Sequence, residues 1–93
     1  MIFNVDNGTD VKITETRFYD QYGNKKAAFL EEGQGLQVKR IHGVDTKGHW
    51  TDYPFAFEPI YVCKVVNPSD QSKNYGVRDD MLVKVHARYL ETE

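Results

Sequence analysis

Few residues of this chain could do covalent or acid–base chemistry. The only thiol, Cys63, sits inside the apolar run from Ile60 to Val66, with Val62 and Val65 beside it. A nucleophile needs a base held against it, and a thiol in apolar surroundings has a raised pKa and is inert. Cys63 is therefore expected to be a buried packing residue. A lone cysteine also excludes an internal disulfide and any paired-cysteine metal motif. His42, His49 and His86 show no HxH, HxxxH or HExxH spacing that would bring two onto one face. They are expected on loops or at the surface, although His42, Asp45 and His49 could converge across one loop. Asp79-Asp80 and Glu31-Glu32 are adjacent pairs, and strand neighbours point to opposite faces, so neither supplies facing carboxylates. Gly33 and Gly35 precede no helical pattern that would aim an amino end at a phosphate, so they are turn glycines. The expectation is a chain with no enzymatic activity, no cofactor and no metal site.

Aromatic residues carry a different chemistry. They make up 13% of the chain, and Tyr19, Tyr22, Trp50, Tyr53 and Tyr89 fall in or beside turn-rich segments. Amphipathic rings cover much area at low rotamer cost and are enriched where proteins meet partners. Those five are the candidate partner-binding residues, with Tyr22, Trp50 and Tyr53 at the centre of the set. Tyr61 and Phe57 are expected in the core.

The elements that must position these side chains are short strands. With 93 residues, 40% hydrophobic and 28% charged, the chain is long enough for one globular domain over 1–93. No helical period lasts three turns, whereas β-branched and aromatic runs alternate with turn chemistry. Strands are expected at about Ile2 to Val5, Val11 to Phe18, Lys25 to Leu30, Leu36 to Ile41, Ile60 to Val66 and Met81 to His86. Ile60 to Val66 is the most apolar of them and should be central. Asn7-Gly8 is a hairpin signal because both residues tolerate positive φ. His42 to Asp52 reads as a loop. Pro54 and Pro59 confine the segment between them to an edge, open to pairing with a second copy. Asn67 to Gly76 reads as an unstructured, mobile loop, and Ala87 to Leu90 as one helical turn before a frayed end.

Three stretches, AFLEEGQGLQVKRIHG (Ala28 to Gly43), Trp50 and VHARYLE (Val85 to Glu91), resemble the Src-homology-3-like barrel. They match its acidic turn and alternating strand, its tryptophan, and its closing strand with a tyrosine-bearing turn; Tyr19 and Tyr22 fall where that family carries first-loop tyrosines. The resemblance implies an all-β fold, a small barrel of about five to six antiparallel strands with a short C-terminal helical turn. It also implies binding through aromatics on one side. His86 or Ala87 stands where the family's ligand-contacting proline lies, so proline-peptide binding does not carry over. The connection from Trp50 to Val85 is also longer than in the eukaryotic modules.

A net charge of −2 gives no overall field for nucleic acid or anionic lipid. The N-terminal stretch has neither a basic start nor an apolar run, and nothing approaches a membrane span of roughly 20 apolar residues. The expectation is a cytoplasmic module that binds a protein or peptide partner. Two alternatives are a small phage or mobile-element inhibitor that occludes a host or defence protein, and weak binding to nucleic acid or bacterial cell wall.

Overall fold

The computed structural model describes residues 5–45 and 58–93. Its strands are β1 (Asp10–Ile13), β2 (Arg17–Gln21), β3 (Ala27–Leu30), β4 (Gly35–Asp45), β5 (Glu58–Val65), β6 (Leu82–His86) and β7 (Leu90–Thr92). A short helix, α1 (Asp70–Asn74), lies between β5 and β6, and a 3-10 turn (Ala87–Tyr89) joins β6 to β7. All seven strands form one antiparallel sheet in the order β3-β2-β6-β5-β4-β1-β7. The architecture is mainly β, as the alternating runs require.

The sheet wraps around a single core. Ala28 and Leu30 from the β3 edge and Leu90 from the β7 edge join the same buried cluster as Val38, Tyr61, Cys63, Val83 and Val85 from the central strands. A flat sheet could not bring its two edges to one core. Each fully buried Val, Leu or Ile here contributes about 1.5–3 kcal/mol relative to exposure. β5 is the centre of the sheet, paired on both sides, and its Val62 is buried on the face opposite that core.

Several expectations are corrected. The segment from Val11 to Phe18 is not one strand: the chain bends at the polar Thr14 and Glu15, and β1 and β2 belong to different parts of the sheet. Gly33 turns the chain back at a φ of +87°, open to glycine without strain, and donates its N–H to Ile13. Residues 42–45, read as loop, extend β4, and the first expected strand lies mostly outside the described residues. Asn67 to Gly76 contains α1, whose cap is Ser69: its hydroxyl accepts the Ser72 N–H at 3.2 Å, and Asp70 and Lys73 match the helix dipole. Ser72 is fully buried. The end is not frayed, because β7 pairs with β1 through Thr92, Glu91 and Leu90. Of the expected Pro54–Pro59 edge, residues 54–57 lie outside the described residues, whereas Glu58 and Pro59 pair with Asp45 and Val44. β6 pairs with β5 only from Ile60 onward, so Pro59 owes no ladder donor on that side. Among the described residues the sheet edges are β3 and β7, and no helix is long and apolar enough to cross a membrane.

Candidate functional site

The ladder between β2 and β6 is short. Asp20 faces Lys84 and Gln21 faces Val83, and the pairing then stops. Toward Arg17 the two strands separate, leaving a cleft of about 220 Å³ lined by Arg17, Phe18, Tyr19, Asp20, Lys84, His86 and Tyr89. That is below the roughly 300–1,000 Å³ of drug-sized ligand pockets, and matches one or two side chains of a larger partner.

Alternation on the strands decides which side chains reach it. Tyr19 points inward: it is 5% exposed, its hydroxyl donates to the Glu15 carbonyl at 2.5 Å, and burial raises its pKa above the usual tyrosine value. Expected at a contact surface, it instead supports the cleft from below, its ring meeting Tyr89 edge-on at 5.7 Å. Tyr89, half-buried on the 3-10 turn, forms the wall. The Arg17 guanidinium lies 4.6 Å from the centre of that ring and donates to the Tyr89 hydroxyl at 2.5 Å. Phe18 is 58% exposed and continues into an aromatic trio with Phe29 and Tyr75, at 5.4 and 6.0 Å.

Tyr22 lies elsewhere. It follows β2, stacks under the Arg40 guanidinium at 4.8 Å, accepts a hydrogen bond from that group, and meets the His42 ring at 5.8 Å. Trp50 and Tyr53, with Phe57 and His49, lie outside the described residues. Of the five tyrosine and tryptophan candidates, the described part of the structure brings together Tyr19 and Tyr89. Sequence reasoning missed Arg17, Phe18, Lys84 and His86. The signal for Lys84 and His86 was present, since they are the polar alternates to buried Val83 and Val85.

Among the described residues no three His, Cys, Asp or Glu side chains are placed to hold a metal ion. Cys63 is fully buried, and burial pushes its thiol up to about 12. The folded chain is therefore expected to resist iodoacetamide at pH 8, with labelling that tracks global unfolding; rapid native-state labelling by mass spectrometry would contradict the assignment. The linkage has a definite sign. The unfolded thiol ionises near 9 and the folded one near 12, so the unfolded state loses its proton first. Stability falls as pH rises through that window, and Cys63→Ala should flatten the fall, which urea titrations at stepped pH would reveal.

A buried carboxylate under the 3-10 turn is paired with a partly exposed guanidinium. Glu58 is 1% exposed, and the Arg88 Nε–H lies 2.9 and 3.0 Å from its two carboxylate oxygens. Compared with known proteins, no family model matches the chain, and no curated protein or solved structure matches it.

Proposed function

We propose that this chain is a non-enzymatic interaction module that holds a protein or peptide partner at the cleft between β2 and β6. The observation that carries this reading is the opening of the ladder beyond Asp20 and Lys84, where exposed Phe18 and Arg17 and half-buried Tyr89 border one concave surface. Rings and a guanidinium at the centre of a contact patch are the residue types that dominate binding energy. The strand order lends support to the Src-homology-3-like resemblance: β4, β5 and β6 form a meander, and the 3-10 turn leads into a last strand beside β1.

Immobilised wild-type chain is expected to retain a specific protein from a cell lysate, and Phe18→Ala with Arg17→Ala to weaken that retention about tenfold or more, as the loss of one hot spot does. Lys12→Ala, on β1, should retain it as the wild type does. Equal retention by the cleft variant, with its fold verified by circular dichroism, would refute the reading.

A further inference from the structure

We propose that the cleft receives an extended, acidic peptide segment that adds to β2 as a strand. This rests on the interaction reading above and specifies the backbone conformation and charge of the ligand. The first observation is backbone direction. Gln21 donates its N–H to Lys26, toward β3, while Tyr22 donates its N–H to Leu82, toward β6. Because groups along a strand alternate, the even-numbered residues of β2 present their N–H and C=O toward β6. Tyr22 and Asp20 meet Leu82 and Lys84 there. Phe18 is the next such residue, and the ladder has ended before it, so its N–H and C=O open onto the cleft. An open strand position beside a side-chain cleft, here the single residue Phe18, is a point from which strand addition can start, where main-chain bonds give affinity and alternate side chains give specificity.

The second observation is charge. Arg17 and Lys84 border the cleft, with Asp20 as the acidic residue among its lining, and Arg17 also lies 3.6 Å from the exposed Glu15 carboxylate. Among the described residues no carboxylate lies within ion-pair distance of Lys84. Alternate carboxylates on an added strand would face this cationic border, and a basic segment would be repelled.

The test uses the full chain, isotope-labelled for NMR, and five blocked peptides. They are acetyl-Val-Glu-Val-Glu-Val-Glu-amide, its Gln-for-Glu and Lys-for-Glu analogues, and the acidic peptide N-methylated at alternate residues on either edge. The acidic peptide is expected to shift the amides of Phe18, Tyr19 and Lys84 and to slow exchange of the Phe18 N–H. Lys84→Glu with Arg17→Glu, and N-methylation of the edge facing β2, should each weaken it about tenfold or more. If the Gln or Lys analogue shifts the same amides as strongly, the charge assignment falls while the interaction reading stands. Full affinity of both N-methylated peptides overturns strand addition, since one of the two must lose the edge that faces β2. If no peptide perturbs the cleft, the acidic-strand proposal is overturned; if lysate retention is also indifferent to the Phe18 and Arg17 changes, the interaction reading fails with it.

Discussion

Replacing Arg88 with methionine is expected to destabilise the chain by about 3–5 kcal/mol, because it removes the charged partner of a carboxylate that has been taken out of water. Glu58 occupies the first position of β5, and Arg88 reaches it from the 3-10 turn. The loss is a large fraction of the roughly 5–15 kcal/mol that holds a domain of this size together, so the single variant is expected to unfold at a much lower urea concentration. The informative comparison is with Glu58→Leu combined with Arg88→Met. Removing both charges removes the desolvation penalty together with the attraction, and should recover most of the stability. Urea midpoints for the two variants, with equal slopes, measure the difference. A double variant no more stable than the single one would mean that the pair is net stabilising beyond its own desolvation.

Leu90→Ala should cost about 2–5 kcal/mol. Leu90 is fully buried, opens β7, and lies directly across from Ile13, itself fully buried. The truncated side chain leaves a void beneath a three-residue strand whose one neighbour among the described residues is β1. Melting should fall by roughly 4–8 °C per kcal/mol for a domain of this size. Phe18→Ala, which trims an exposed ring, should move the midpoint by less than about 0.5 kcal/mol. Comparable losses for the two variants would show that the wrapped core does not extend to the β7 edge.

What the sequence disclosed of this fold depended on how local each cause was. β5 was legible because Tyr61, Val62, Cys63 and Val65 are buried whichever face they take, so an unbroken apolar run identifies it without any register. β6 was legible because Val83 and Val85 alternate with Lys84 and His86. α1 was not, since a five-residue helix has no period to read; its one local sign was Ser69 ahead of Asp70, and its anchors are long-range, among them the Ser69 hydroxyl to Glu31 at 3.2 Å and the C-cap Tyr75 against Phe29 at 4.9 Å. Glu58 could not be placed in the interior from its neighbours, because the guanidinium that matches it lies 30 residues along the chain. The cleft was half legible. Tyr19 and Tyr89 were identified as aromatics of interest, but which way Tyr19 points follows from the pairing of β2 with β3 and β6, a long-range fact. Arg17, Phe18, Lys84 and His86 form one patch only because a ladder ends where it does.

The pairing of β1 with β7 has a kinetic consequence. The meander of β4, β5 and β6 joins strands that follow one another, whereas Ile13 and Leu90 must find each other across most of the chain. Closing that loop costs about 1–2 kcal/mol more chain entropy than closing the connection between β5 and β6, since the cost grows with the logarithm of loop length. The seam between β1 and β7, like the similarly long-range pairing of Asp20 with Lys84, is then expected to close after the local meander, because its contacts are so distant in sequence.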